Sequence, residues 1–120
     1  MSKISSSIIF ARTRKEDKPM YKRRKESDFQ GKFIKELEAR YPEAIVSKMS
    51  ANYIQGIPDV IALFPNGKYA NFECKDSKDA PHQPNQDDYV DKLNNMSFAR
   101  FVYPENKQEV LDELEQALRT

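Results

Sequence analysis

The sequence has little of several residue types, and each shortage argues against a class of protein. A single cysteine cannot form an intramolecular disulfide, which argues against a disulfide-stabilised secreted domain. A single histidine, His82, argues against a histidine-based metal cluster and a Ser-His-Asp triad. No segment approaches the roughly 20 apolar residues of a membrane helix, and the N-terminus lacks the apolar region of a signal peptide. We therefore expect a soluble cytoplasmic protein that does not enter a membrane.

The charges are balanced in number but not in position. The 120 residues include 20 Lys and Arg against 19 Asp and Glu, a net charge of +1 that at first argues against a nucleic-acid partner. Residues 1–25 nevertheless carry nine basic and two acidic side chains, and residues 26–120 carry 11 basic and 17 acidic ones. This division predicts a basic N-terminal arm (1–25), extended or partly disordered, on one acidic domain (26–120).

Apolar spacing and turn residues predict an α/β domain with the order α-β-β-β-α-β-α. Ser27 and Asp28 are candidate N-caps of the first helix, which should end by Tyr41, because Pro42 disfavours helical geometry in the residue before it. The run 59–64 is almost wholly apolar and predicts a strand buried on both faces. The other predicted elements are strands at 44–49, 68–75 and 98–103 and helices at 86–95 and 105–118.

Three charged residues form the most informative pattern. Asp59 begins one predicted strand, and Glu73 and Lys75 end the next, after a turn at 65–67. Hairpin pairing places the start of one strand beside the end of the other, and alternation puts Glu73 and Lys75 on one face with Cys74 on the opposite face. Converging carboxylates favour a cation between them, and hard oxygen ligands suit Mg²⁺ or Mn²⁺. A surface ion pair between Glu73 and Lys75 is the alternative interpretation.

These motifs resemble the PD-(D/E)xK nuclease superfamily, and within it the small phage VRR-NUC and Holliday-junction-resolvase-like proteins. The resemblance rests on Gly56-Ile-Pro-Asp59 followed by Glu73-Cys-Lys75, with support from Glu26–Gln30 and Gln86–Tyr89. It covers residues 26–113. It implies a restriction-endonuclease-like αβββαβ core with a central mixed four-stranded sheet flanked by helices, to which the last helix is an addition.

The resemblance also implies the roles of individual residues. Lys75 would be the catalytic lysine, and Gln86 would support that lysine or the scissile phosphate. Glu36 lies on the same predicted helix as Glu26 and is an alternative for the helical carboxylate. The implied metal ligands are Asp59, Glu73, Glu26 and the backbone carbonyl of Cys74.

The resemblance implies a Mg²⁺-dependent DNA endonuclease, with Mn²⁺ able to substitute and with no small-molecule cofactor. Branched or junction DNA is the expected substrate, in phage replication, recombination or repair, with flaps and plain duplex as the alternatives. Two cuts in a junction favour a homodimer. The alternatives are a catalytically silent DNA-binding module and a phage effector that binds a host protein. Residues expected to contact DNA are Arg12, Arg14, Lys15, Lys22, Arg23, Arg24 and Lys25 of the arm, together with Gly56 and Lys78.

Overall fold

The computed structural model describes residues 20–50 and 53–120, with side chains from Arg24 onward. It contains three helices and four strands in the predicted order. These are α1 (Met20–Arg40), β1 (Ile45–Lys48), β2 (Val60–Leu63), β3 (Tyr69–Cys74), α2 (Gln86–Met96), β4 (Phe98–Val102) and α3 (Lys107–Arg119).

The strands form one sheet in the order β1-β2-β3-β4. The first two pairings are antiparallel, and a short turn joins β2 to β3, whereas β3 and β4 are parallel and are linked through α2. The chain is therefore an α/β protein with a mixed four-stranded sheet, as expected. Among the described residues, no helix combines the length and the apolar content needed to cross a membrane.

The apolar core lies on one face of the sheet, under α1 and α3. Phe33 of α1 packs edge-on against Phe72 of β3, with ring centroids 4.9 Å apart, and both side chains are fully buried. Leu111 and Leu114 of α3 join the same cluster. The spacing of these residues along each helix is the apolar stripe that places a helix on a sheet.

Among the described helices, the one that packs on the opposite face is α2, which contacts β3 and β4. The prediction that 59–64 is buried on both faces was therefore wrong in part, because Leu63 is 44% exposed on the half of the sheet that α2 does not cover. Val60 and Ala62, which face the core, are fully buried.

The first helix is longer than predicted, because it contains Met20–Lys25 as well as the acidic segment after it. The arm was expected to be extended or partly disordered as far as residue 25, whereas its last six residues are helical. Ser27 and Asp28 lie inside the helix rather than at its cap. Lysine, arginine and glutamate are good helix formers, so this segment can be helical without an apolar face of its own. The rest of the predicted arm, including Arg12, Arg14 and Lys15, lies outside the described residues.

Candidate metal centre

Strand pairing brings Asp59 to Glu73. Val60 is paired with Phe72 in an antiparallel register. Asp59, one residue before Val60, therefore lies beside Glu73, one residue after Phe72, at the same end of the sheet. Both carboxylates are buried, at 8% exposure for Asp59 and 1% for Glu73. The hairpin predicted from the 65–67 turn is therefore the element that assembles this pair.

Helix α1 contributes the third carboxylate. Glu26 is 5% exposed, and one ligand oxygen from each of Glu26, Asp59 and Glu73 lies within 4.8 Å of the other two. The alternative helical acid, Glu36, lies elsewhere, in ion pairs with Lys107 (2.8 Å) and Arg40 (3.6 Å). A hydrogen bond from Lys107 is the main cause that lowers the pKa of Glu36. Glu26 is thus the acid of α1 that joins the cluster.

Two donors hold the Asp59 carboxylate. The backbone N–H of Cys74 donates to Oδ1 over 3.0 Å, and the side-chain amide of Gln30 donates to Oδ2 over 2.9 Å. Cys74 is therefore beside Asp59 through its backbone N–H, and the role predicted for its carbonyl as a metal ligand stays a prediction. The Cys74 side chain is fully buried on the core face, as expected.

Gln30 is the site residue to which the sequence pattern assigned no role. It lies four residues after Glu26, and this spacing places two side chains on the same face of a helix. The separation from Glu26 was therefore a usable signal, but the partner of Gln30 became evident only when β2 and α1 were placed together.

Lys75 is 1% exposed and is held by a loop and the start of α2. Its ammonium group donates to the carbonyl of Pro81 (3.1 Å) and to Oε1 of Gln86 (2.8 Å), and lies 3.9 Å from Oε2 of Glu73. The same Gln86 oxygen accepts a 2.7 Å hydrogen bond from the backbone N–H of Gln83. The contact predicted between the lysine and the glutamine is present, and a surface ion pair of Glu73 and Lys75 is excluded by their burial.

Gly56, in the loop before Asp59, packs closely against the residues that precede α2. It has a φ of +94°, and a Cβ at this position would lie 2.6 Å from the Cβ of Asn85 and 2.9 Å from the carbonyl oxygen of Pro84. Both the backbone conformation and the close approach require glycine. The structure thus gives Gly56 a packing role, and its predicted contact with DNA stays a prediction.

The remaining predicted DNA contacts lie at the surface where side chains are described. Arg24 and Lys25 are exposed on α1, in the same helix turns as Glu26, and Lys78 is exposed in the loop that follows Lys75. Lys22 and Arg23 belong to α1, but their side chains are outside the described ones. His82 is also at the surface, as expected, where its Nδ1 is 2.7 Å from Asp87 Oδ1.

The donor set fits a divalent cation. Three clustered carboxylates supply hard oxygen ligands of the kind that Mg²⁺ and Mn²⁺ prefer. Close carboxylates repel one another without a positive charge among them.

Comparison of the chain with protein-family models, curated proteins and solved structures gives no match.

Proposed function

We propose that this protein is a Mg²⁺-dependent deoxyribonuclease with a restriction-endonuclease-like fold of the PD-(D/E)xK type. The observation that carries the proposal is the buried cluster of Glu26, Asp59 and Glu73, whose ligand oxygens lie within 4.8 Å of one another, with Lys75 beside it. Burying three acids together disfavours folding unless a positive charge compensates them. A divalent metal ion bound among them would supply that charge and would also serve catalysis at a phosphate.

The ligands would be the three carboxylates and the carbonyl of Cys74. When bound, Mg²⁺ lowers the pKa of a water and neutralises charge on the scissile phosphate. Asp59 is kept in one orientation by its bonds to Cys74 and Gln30, so its carboxylate is ready for the ion without rearrangement. Mn²⁺ has the same ligand preference and should substitute.

Lys75 would stabilise the negative charge that develops on the phosphate. Two neutral acceptors, the Pro81 carbonyl and Gln86 Oε1, fix its ammonium group near Glu73 without neutralising it. A fixed positive charge in a site shielded from water stabilises a transition state more than a solvated one does. Gln86 thus positions the lysine, and its location at the start of α2 makes that position rigid.

The DNA backbone would be bound by basic residues around this site. Arg24 and Lys25 are exposed on the helix that carries Glu26, so a phosphate contact there would lie near the carboxylates. Contacts of this kind place the strand without reading its bases. We extend the proposal to branched or junction DNA as the preferred substrate class, in phage replication, recombination or repair.

The test is cleavage of junction, flap, single-stranded and duplex DNA by the purified protein. We expect cutting with Mg²⁺ or Mn²⁺ and none in chelator, and we expect Asp59→Asn to reduce cutting to the level seen in chelator. Asp79→Asn is the matched control, because Asp79 is an exposed acid in the loop after Lys75. Equal cutting in chelator, or by Asp59→Asn, would contradict the proposal.

A second variant separates chemistry from metal binding. Lys75→Met should retain Mn²⁺ binding, measured by electron paramagnetic resonance, while cleavage falls about 100- to 1,000-fold, as expected for loss of one transition-state stabiliser. If wild-type protein binds Mn²⁺ and DNA but cuts none of the four substrates, it is a silent DNA-binding module. If it binds neither, a role through a host protein becomes the better explanation.

A further inference from the structure

The loop between β3 and α2, together with the first residue of α2, supplies two acceptors for the ammonium group of Lys75. These are the carbonyl of Pro81 (3.1 Å) and Oε1 of Gln86 (2.8 Å). Two hydrogen bonds connect Gln86 to Gln83, one from the Gln83 N–H to Oε1 (2.7 Å) and one from the Gln86 N–H to the Gln83 carbonyl (3.2 Å). The position of the lysine therefore depends on how firmly residues 81–83 are held.

His82 is the middle residue of this segment, and two contacts hold its side chain. Its ring stacks on the ring of Phe101, with the centroids 3.9 Å apart and the planes inclined by 13°. Its Nδ1 lies 2.7 Å from Oδ1 of Asp87, in the first turn of α2, and Nδ1 is the donor because an ionised carboxylate only accepts. One ring thus connects the loop to both β4 and α2.

The stack joins the loop to the part of the sheet that carries the carboxylates. Phe101 is the partner of Glu73 in the parallel pairing of β3 with β4, so the two side chains project from the same face. Phe101 is not a member of the apolar core on the other face. The ring contact therefore adds to the placement of the loop rather than to the packing of the core.

We propose that His82 is a positioning residue for Lys75. By holding the loop against Phe101 and Asp87, it keeps the Pro81 carbonyl where the ammonium group donates to it. Placement matters here because a shift of about 1 Å in a catalytic group can cost about 100-fold in rate. The consequence for cleavage rests on the proposed function, whereas the consequence for the lysine itself is measurable without a substrate.

Cleavage by single and double variants tests whether His82 acts through the lysine. His82→Ala should lower kcat about 10- to 100-fold and leave KM and Mn²⁺ affinity unchanged, because the carboxylates and the exposed basic residues remain. In a Lys75→Met background the same substitution should lower kcat no further, since no ammonium group is left to position. An equal loss in both backgrounds would overturn the proposal.

Two aspartates of α2 provide a matched pair. Asp87→Ala and Asp88→Ala each remove one exposed acid from the first turn, so they alter the interaction with the helix dipole alike. Only Asp87→Ala removes the partner of His82. It should lower kcat, though less than His82→Ala does because the stack on Phe101 remains, and Asp88→Ala should not. Equal rates for the two variants would count against the proposal.

Solvent exchange of the lysine ammonium protons, followed by ¹⁵N NMR, measures the positioning directly. His82→Ala should accelerate exchange at Lys75 Nζ about fivefold, as expected for weakening one hydrogen bond. Lys68 is the internal control, because its Nζ donates to the carbonyl of Ala117 (2.7 Å) at the other end of β3, and its exchange should not change.

The NMR measurement separates this proposal from the proposed function. If the wild-type protein cuts no DNA, the proposed function fails, and the exchange rate at Lys75 still decides the role of His82. Exchange at Lys75 that is the same in His82→Ala as in wild type would overturn the proposal, whatever the protein cuts.

Discussion

Phe72 and Glu73 are neighbours on β3 and are almost equally buried, at 0% and 1% exposure, but they face opposite sides of the sheet. Phe72 lies among apolar side chains under α1 and α3. Glu73 lies with Asp59 and Glu26, and with the ammonium group of Lys75. Equal burial therefore has opposite energetic consequences at two consecutive positions.

The difference shows how one short strand serves two purposes. The face under two helices supplies the apolar burial on which the stability of a small domain depends. The other face holds buried charge, which opposes folding unless it is compensated. Because the hydrogen-bonded strand links both faces, the stable one fixes the positions of the charged groups on the other.

The largest effect that we predict on stability comes from breaking the apolar side. Phe72→Ala should lower the free energy of unfolding by about 3–5 kcal/mol, the usual cost of removing a buried phenylalanine. Glu73→Gln, one residue away and equally buried, should leave the metal-free protein as stable or more stable, because it removes one of three clustered carboxylates. Urea unfolding of both variants in chelator measures the contrast.

The two variants should also differ in how much Mn²⁺ stabilises them. Saturating Mn²⁺ should stabilise wild-type protein and the folded fraction of Phe72→Ala but should have little effect on Glu73→Gln, because a ligand stabilises the state that binds it. If Glu73→Gln proved as destabilising as Phe72→Ala, the buried charge on one face would contribute as much to stability as the apolar packing on the other, which would contradict the comparison.

The sequence predicted the order of the elements because each has a strong local signal. Pro42 marks the end of the first helix and the 65–67 turn marks the end of β2. The apolar spacing of each helix indicates its core face. The start of α1 was missed because Met20–Lys25 has no apolar periodicity and its helical form depends on propensity alone. The exposure of Leu63 was missed because a run of apolar residues does not reveal how far a helix extends across a sheet.

The site was predictable where strand alternation and hairpin pairing determine it. These two rules place Asp59, Glu73 and Lys75 together. Glu26 and Gln86 were identified as site residues through the resemblance. The structure places Glu26 with Asp59 and Glu73, and it places Gln86 in a hydrogen bond with Lys75. Gln30 could not be assigned, because its hydrogen bond to Asp59 depends on how α1 crosses the sheet, which no local pattern specifies.

An intermediate effect should follow from removing the Gln30 amide. Gln30→Met keeps most of the side-chain volume but loses the donor to Asp59 Oδ2, so the carboxylate that we propose as a metal ligand is less firmly oriented. We expect Mn²⁺ affinity to fall about 10- to 100-fold, the usual cost of losing a hydrogen bond to a metal ligand. Calorimetric titration measures it, and Gln116→Met, at an exposed position of α3, is the control.

Stability measurements distinguish positioning from general damage at Gln30. One part-buried hydrogen bond contributes about 1 kcal/mol to stability, so Gln30→Met should unfold in chelator at nearly the wild-type urea concentration. A large loss of metal-free stability with unchanged Mn²⁺ affinity would show that Gln30 supports the helix rather than the carboxylate.

The smallest effect concerns the apolar side and appears only at high pH. The Tyr41 hydroxyl donates a 2.7 Å hydrogen bond to Glu115 of α3, and burial, together with this carboxylate, raises the pKa of Tyr41 to about 12 from 10.0. A raised pKa means that the folded state favours the protonated hydroxyl. This contribution to stability is complete below pH 10 and is lost as the pH rises towards 12.

Tyr41→Phe removes the ionisable group but keeps the ring that packs edge-on against Phe64 at 5.4 Å. The free energy of unfolding should therefore fall more steeply between pH 10 and 12 in wild-type protein than in Tyr41→Phe, as measured by urea unfolding at a series of pH values. Tyr53→Phe is the control, because Tyr53 is 94% exposed. Parallel curves for wild type and Tyr41→Phe would mean that Tyr41 titrates alike in the folded and unfolded chain.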